Sequence, residues 1–455
     1  MENKKRFLEP FSRYDDLNWL QINLSQENYD SIYNGPRPNG SSPSWYIKET
    51  GKLLPPMNMG EWNFKKETGE WFSDEELLDQ HQPHILDTNH VTYHYPKDLV
   101  GKNHLYIITV FNPEYFEANE HIGFSVIHPQ YLEDIKIGSA YIVILYPWEG
   151  YSGMDGNRDF EIVEKWRISA GLPPKSVHFI TGNLHAENNK TVKNGGLIAH
   201  PLNIFDVWNS DLADEPIVEF KPSENKNLFL SYNRNPRLPR IHLACKMLEY
   251  GLLDKGLFSL DKPDWFSNLN TLKHDGILDK YWKELGKRVP INISKNLNFN
   301  LACNIELIDF ESTFCSIITE TLVESNTMFF SEKIWKAIQT GHPFFLIGNP
   351  GGLQALRSQG YHTFSNWWNE EYDNVYDYRL RIEMIMKEVK KLSEYPVERL
   401  VEIRKEMKQA LMENKIRHYK QIRANWGFGH SEKPEAVLRL LNNIYTKLQN
   451  GQTLL

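Results

Sequence analysis

The chain has 455 residues, of which 40% are hydrophobic, and its formal net charge is −8 at pH 7. This length predicts two or three domains with hydrophobic cores of ordinary size. The acidic balance argues against broad, sequence-independent binding of nucleic acid, which depends on a basic surface. The cysteines Cys245, Cys303 and Cys315 lie in or near apolar runs, which indicates buried thiols in a reducing compartment rather than a disulfide framework.

The first residues, MENKKRFLEP, lack the apolar core that a signal peptide needs. No window approaches the roughly 18 consecutive apolar residues of a membrane span. We therefore expect a cytoplasmic protein. Residues 1–95 have a polar, irregular pattern in which Trp62 and Trp71 mark a candidate hairpin.

Regular elements become clear with an apolar strand pattern at residues 104–111 and a second one at 140–150. A helical pattern at 159–172, stopped by a glycine and two prolines, leads to a third strand pattern at 176–183. The order strand, helix, strand is that of a βαβ unit. We expect an amino-terminal α/β domain over residues 96–215.

A charged, proline-bearing segment at residues 213–227 predicts a linker. Beyond it, LFLSYN (228–233) and LFSL (257–260) are strand patterns, separated by a helical pattern that Gly251 ends. Residues 314–364 then alternate as strand, polar loop, helix, strand, Gly-rich turn, short helix and third strand. That alternation is typical of a parallel sheet with crossover helices.

The complete pattern predicts an α/β protein with two Rossmann-like domains that face a cleft, followed by a helical tail. The carboxyl-terminal α/β domain is expected over residues 216–378 and the amphipathic helical tail over 379–455. Fold alone does not establish function, so the candidate sites must carry that argument.

Polar residues gather where the strand before residue 320 meets the following helix. Ser331 is a good N-cap, and Gly341 a good C′ residue, for the helix between them. An anion at the N-terminus of this helix would meet free backbone N–H groups and the Lys333 ammonium together. Glu332 is a suitable acceptor for ribose hydroxyls. Ordinary helix capping is the competing interpretation. The candidate ligand-binding residues here are Thr319, Glu320, Ser331, Glu332 and Lys333.

The loop NRNPRLPR carries Arg234, Arg237 and Arg240 between prolines, directly after the strand at 228–233. Guanidinium groups suit phosphate oxygens because they donate two parallel hydrogen bonds. The alternative is a solvated basic turn. Because parallel strands end at one edge of a sheet, we expect this loop and Lys333 to face the same crevice.

Glu149, after the strand at 140–150, is a candidate general base, with Asp155 and Asp159 as neighbouring alternatives and a turn role as the competing interpretation. Metal binding is not predicted, because no cysteine or carboxylate pattern completes a ligand set around the histidines at 81, 84, 90 and 94. The turn after residue 348 is predicted to begin a helix at Pro350. The sequence lacks the motifs of phosphate-loop kinases, classical dehydrogenases, zinc proteases and α/β-hydrolases.

The stretch IITETLVESNTMFFSEKIWKAIQTGHPFFLIGNP resembles the donor-binding motif of α-1,3-fucosyltransferase-like and exostosin-like glycosyltransferases. These families have an acidic strand end, a Ser/Thr-Glu-Lys tripeptide, an amphipathic helix and an apolar strand ending near Gly-x-Pro. With GGLQALRSQGYHTFSNWWNEEYD included, the stretch is most similar to uncharacterised bacterial and viral members. The resemblance covers roughly residues 225–375 and implies a GT-B-type fold.

The resemblance implies a metal-independent, inverting transfer from a nucleotide-sugar, GDP- or UDP-linked, to an acceptor hydroxyl, most simply on a glycan. It implies that Glu332 contacts the ribose, that Lys333 contacts the diphosphate, and that Arg240 or Arg234 is the second phosphate ligand. Glu149 as base follows only from the expected architecture. Two alternatives stay open: a non-catalytic carbohydrate-binding or assembly protein with a degenerate transferase fold, and a DNA-base glycosyltransferase.

Overall fold

The chain forms two compact units, Met1–Ile204 with Asn425–Leu455 (unit 1) and Phe205–Ala424 (unit 2). Within the described residues, none of the helices combines the length and the apolar character needed to cross a membrane. A computed structural model describes residues 45–47, 52–54, 64–65, 70–71, 103–109, 129–146, 158–202, 215–222, 228–233, 235–262, 276–293, 305–426, 440 and 443–448.

Strands and helices alternate through most of the described part of the chain. The strands are β1 (Trp45–Ile47), β2 (Lys52–Leu54), β3 (Phe64–Lys65), β4 (Glu70–Trp71), β5 (His104–Thr109), β6 (Ala140–Tyr146), β7 (Val177–Thr181), β8 (Ile198–Pro201), β9 (Phe229–Asn233), β10 (Leu257–Leu260), β11 (Cys315–Thr319) and β12 (Phe344–Ile347). The helices are α1 (Pro129–Lys136), α2 (Arg158–Ser169), α3 (Lys190–Lys193), α4 (Leu238–Glu249), α5 (Gly276–Arg288), α6 (Leu307–Ser312), α7 (Glu332–Thr340), α8 (Gly352–Ser358), α9 (Tyr378–Leu392) and α10 (Val397–Trp426).

Unit 1 contains a parallel sheet with strand order β5-β6-β7-β8. One face of this sheet packs Ile142, Ile144 and Phe179 against Phe160 and Val163 of α2. The expected strand–helix–strand unit is thereby confirmed as β6, α2 and β7. The short antiparallel pair β3 and β4 contains Trp71, one of the two residues that marked a candidate hairpin, whereas Trp62 lies outside the described residues.

The opposite face of the unit 1 sheet carries a pair of histidines. His178 Nδ1 lies 2.9 Å from His200 Nε2, and the two rings are stacked. Burial, together with His200 and Lys447, lowers the pKa of His178 to about 3. Burial and Lys447 also lower the pKa of His200 to about 4. Both imidazoles are therefore neutral at neutral pH, and one donates its ring N–H to the other.

Unit 2 contains a second parallel sheet, with strand order β10-β9-β11-β12. All residues of β11 and β12 are buried, which explains their nearly continuous apolar sequences. The chain runs from β9 into α4, from β11 through a loop into α7, and from β12 into α8. The carboxyl ends of the two central strands, β9 and β11, therefore lie next to each other.

The third strand expected near residue 364 is not formed: residues 361–364 have no regular secondary structure. Side chains satisfy their backbone groups in place of a neighbouring strand. Asn414 Oδ1 accepts from His362 N–H at 2.7 Å and its Nδ2 donates to His362 O at 2.9 Å. The Glu370 carboxylate accepts from Phe364 N–H at 2.6 Å. The apolar pattern of this segment reflects burial of Tyr361 and Phe364 and not strand pairing.

Candidate functional site

The candidate site lies at the carboxyl edge of the unit 2 sheet. Phe229 of β9 is the register partner of Cys315 of β11, so the last residues of these strands, Asn233 and Thr319, end at the same level. This edge is where open parallel α/β sheets bind their ligands, because loops and helix N-termini converge there. The loops that follow β9 and β11 carry the arginines and the Ser-Glu-Lys tripeptide.

Helix α7 presents its N-terminus to this edge. Ser331 has an extended backbone and its hydroxyl accepts a hydrogen bond from Lys333 N–H at 3.4 Å, as an N-cap does. Gly341 ends the helix in a left-handed conformation with φ +68°. Both capping residues were expected from the sequence, so the capping interpretation of Ser331 is confirmed as geometry, and the helix end is fixed.

Lys333 and Glu332 are partly exposed and contact each other. The Lys333 ammonium lies 2.8 Å from Glu332 Oε1 and 3.2 Å from Ser331 Oγ. Burial alone would raise the pKa of Glu332, but Lys333 and Lys336 together outweigh it, and the pKa is lowered. Glu332 therefore stays ionised near neutral pH, and this pair offers an ammonium and a carboxylate side by side.

Glu320 lies behind the tripeptide in the protein interior. Its Oε1 accepts a hydrogen bond from Ser331 N–H at 3.1 Å. The side chain is 2% exposed, and its Oε2 has no hydrogen-bond partner. Burial raises the pKa of Glu320 against the opposing effects of Lys333 and Ser331. Glu320 therefore supports the N-terminus of α7 from within and is almost completely buried.

The arginine loop reaches the same edge from β9. Arg237 is exposed, and its Nη1 lies 3.4 Å from Thr321 O in the loop after β11. Arg240 is 4% exposed and its Nη1 donates to Asn235 O at 3.0 Å. Burial and Arg237 lower the pKa of Arg240 to about 10, while Glu320 and Glu332 act in the opposite direction. The structure thus brings Arg240 close to Glu320 and Glu332 in the interior. It brings Arg237 to the loop after β11 at the surface.

Four buried side-chain polar atoms of the described residues around this edge have no hydrogen-bond partner. They belong to the ends of β9 and β11 and to the helix and loop that follow them. Such atoms are uncommon in folded proteins and require an explanation. These atoms include hydrogen-bond acceptors and a donor, so side chains at the edge can form further hydrogen bonds. The atoms are Asn233 Oδ1, Arg240 Nε, Thr319 Oγ1 and Glu320 Oε2.

The loop between β11 and α7 is held by side chains that sequence reasoning did not select. Asn349, after β12, accepts from Ser325 N–H at 2.8 Å and donates to Thr327 O at 2.6 Å. Arg381 of α9, which is 1% exposed, donates to Val323 O. These partners lie far apart in the chain, so no local sequence signal identifies them. They fix the loop that joins Glu320 to Ser331.

Helix α8 begins at Gly352, two residues later than the start expected at Pro350, because Gly351 precedes it in a left-handed conformation with φ +78°. The Asp373 carboxylate already occupies this N-terminus. Its oxygens accept from Leu353 N–H at 2.9 Å and from Gln354 N–H at 3.0 Å. The protein itself therefore supplies the carboxyl group at the N-terminus of α8.

Several predicted residues fall outside the described part of the chain. They are Arg234, Glu149, Asp155 and the four histidines at 81, 84, 90 and 94. Asp159, an alternative base, lies in the first turn of α2 and is 2% exposed. Of the predicted residues that are described, seven gather at one edge of unit 2: Arg237, Arg240, Thr319, Glu320, Ser331, Glu332 and Lys333.

No protein-family model matches the chain, and no curated protein sequence matches it significantly. Functional inference therefore starts from the edge of the unit 2 sheet and from the chemistry of its side chains. Two cations, Lys333 and Arg240, interact there with the carboxyl groups of Glu320 and Glu332. A third cation, Arg237, contacts the loop after β11. The exposed members of this set are suited to an anion that also carries hydroxyl groups.

Proposed function

We propose that the protein is a glycosyltransferase that moves a sugar from a nucleotide-diphosphate donor to an acceptor hydroxyl, with the donor bound at the carboxyl edge of the unit 2 sheet. One observation carries the proposal. The side chain of Arg237, in the loop after β9, reaches the loop after β11, since its Nη1 lies 3.4 Å from Thr321 O. The loop after β11 leads to Lys333 at the start of α7. A diphosphate that spans the two loops would satisfy both.

The proposed contacts use groups that are accessible. A phosphate beside Lys333 draws its ammonium away from Glu332 Oε1, which is 2.8 Å away. The freed carboxylate then accepts hydroxyl groups of the ribose. Arg237 supplies the second phosphate contact, and Arg240 contributes fixed positive charge from the interior. This assignment favours Arg237 over Arg240 as the direct ligand, because Arg240 is only 4% exposed.

The proposed chemistry is stabilisation of the leaving diphosphate. As the bond between sugar and phosphate breaks, negative charge grows on the diphosphate, and cations held in place lower the barrier. Lys333 and Arg237 serve this purpose without a metal ion, as the sequence resemblance implies. A carboxylate of unit 1, Glu149 first, accepts the proton of the acceptor hydroxyl. Two Rossmann-like domains that face a cleft complete the proposal.

Thermal shift tests the donor site with GDP, UDP and their sugar conjugates. We expect at least one of these nucleotides to raise the melting temperature of the wild-type chain. At a ligand concentration near the wild-type dissociation constant, Lys333→Ala should abolish the shift. Lys387→Ala is the matched control, because Lys387 is an exposed lysine of α9 that pairs with Glu383. Failure of every nucleotide to stabilise the wild-type chain would refute the proposal.

Turnover separates the enzyme from a non-catalytic binding protein. Glu149→Gln is expected to keep nucleotide binding while stopping sugar transfer and donor hydrolysis. Turnover that persists in Glu149→Gln would move the base to another carboxylate, such as Asp155. Nucleotide binding by the wild-type chain without any transfer or hydrolysis would favour the degenerate transferase.

A further inference from the structure

The N-terminus of α7 already holds a carboxyl group that belongs to the protein. Glu320 Oε1 accepts the Ser331 N–H at 3.1 Å, in the place where a helix N-terminus favours negative charge. The Ser331 hydroxyl accepts a hydrogen bond from the backbone N–H of Lys333, two residues further along the chain. A ligand anion that approaches Lys333 therefore meets a resident carboxyl group as well as the positive end of the helix.

The second oxygen of Glu320 makes this carboxyl group sensitive to added charge. Oε2 is buried without a hydrogen-bond partner, and a buried charge without compensation is costly. Lys333 and Glu332 face it from α7 and Arg240 faces it from α4. Gly348, after β12, presents no side chain, and a Cβ built there would lie 3.5 Å from Glu320 Cγ. The balance between the ionised and the neutral carboxyl group therefore depends on a few neighbouring charges.

A diphosphate beside Lys333 adds negative charge to this set. Like charges disfavour the ionised form of a carboxyl group, and Glu332 is already ionised there. We propose that Glu320 takes up a proton from solvent when a diphosphate-bearing ligand binds beside Lys333, so that binding tightens as the pH falls. This inference rests on the proposed donor site. Glu320 is a positioning residue in this account, since it acts through Ser331 and α7 and does not touch the ligand.

Calorimetry of the full chain in pairs of buffers with different ionisation enthalpies measures this proton directly. UDP-glucose and GDP-mannose are the probes, because a sugar diphosphate lacks the terminal phosphate that titrates near pH 6. We expect the wild-type chain to take up part of a proton per bound ligand. For each unit by which the pH is lowered, the dissociation constant should then fall by up to about tenfold in the range where Glu320 titrates.

Glu320→Gln keeps an acceptor for the Ser331 N–H and cannot take up the proton, so its affinity should not change with pH. Glu370→Gln is the matched control. Glu370 is another buried carboxyl group whose pKa is raised by burial, and it bonds Phe364 N–H elsewhere in unit 2. We expect Glu370→Gln to keep the proton uptake of the wild-type chain.

The outcomes separate this inference from the proposed function. Binding of a probe without proton uptake refutes the role of Glu320 and leaves the donor site standing. Proton uptake that persists unchanged in Glu320→Gln refutes it as well. If Glu320→Gln does not fold, the wild-type buffer series alone decides, because zero uptake contradicts the proposal. If neither probe binds, the same series uses the nucleotide-sugar that stabilises the wild-type chain in thermal shift. If no nucleotide or nucleotide-sugar binds the wild-type chain, the proposed function and this inference fail together.

Discussion

Asn349 is expected to be the residue that contributes most to holding the loop between β11 and α7 in place. Its amide accepts from Ser325 N–H at 2.8 Å and donates to Ser325 Oγ at 2.9 Å and to Thr327 O at 2.6 Å. Asn349 is 7% exposed, and Ser325 and Thr327 are buried as well. Asn349→Ala removes all these contacts at once without altering the backbone of the sheet.

The size of the effect follows from two buried backbone groups, Ser325 N–H and Thr327 C=O, that lose their partner. Each buried group without a partner costs about 1–3 kcal/mol. The hydroxyls of Ser325 and Thr327 stay 2.5 Å apart and keep their mutual hydrogen bond, which reduces the sum. We expect the free energy of local opening of this loop to fall by about 2–4 kcal/mol.

Amide hydrogen exchange of the loop measures this change. A loss of about 2–4 kcal/mol corresponds to exchange at Ser325 that is about 30- to 900-fold faster. Asn374→Ala is the control, because Asn374 is an exposed asparagine that bonds only the Glu371 side chain among the hydrogen bonds described. Equally fast exchange at Ser325 in both variants would refute the claim that Asn349 stabilises this loop.

The remaining predictions concern a glycine and the histidine pair. Gly341→Ala should destabilise the chain by about 2–5 kcal/mol and Gly251→Ala by about 1–2 kcal/mol. Both glycines have positive φ, but only a Cβ at Gly341 would lie 2.5 Å from Ile217. Equal losses of stability in urea unfolding would contradict this prediction. The folded pKa values of about 3 for His178 and about 4 for His200 lie below the ordinary 6.5, so their contribution to stability is present above about pH 6.5 and is lost as the pH falls towards about 4. The double variant His178→Leu/His200→Leu should lose stability less steeply with acid than the wild-type chain, and an unchanged pH profile would contradict that reasoning.

Local patterns were sufficient to predict the elements that carry the site. β11, α7 and β12 were expected because two apolar runs flank a helix with a serine cap and a glycine end. β8 was missed because IAHP is short and ends in proline. The strand expected near residue 364 was wrong because Asn414 and Glu370, distant in sequence, satisfy that backbone. Tertiary partners of this kind leave no periodicity in the local sequence.

The candidate site was predictable to a similar depth. The arginine loop and Lys333 could be selected because charged residues that follow parallel strands lie at one edge of the sheet. The position after a strand did not indicate which arginine is accessible to a ligand, since burial of Arg240 and exposure of Arg237 depend on packing around α4. Nor could it identify the supporting residues Asn349 and Arg381, whose contacts with the loop exist only in the folded chain.

The central claim is that Arg237 and Lys333, from different loops, bind one nucleoside diphosphate. Calorimetric titration with UDP or GDP, whichever stabilises the wild-type chain, tests it in Arg237→Ala, in Lys333→Ala and in the double variant. Each hydrogen bond to a charged phosphate contributes about 1.5–3 kcal/mol, so each single variant should bind about 10- to 150-fold more weakly. Wild-type affinity in either single variant would contradict the claim that these two side chains meet on one ligand.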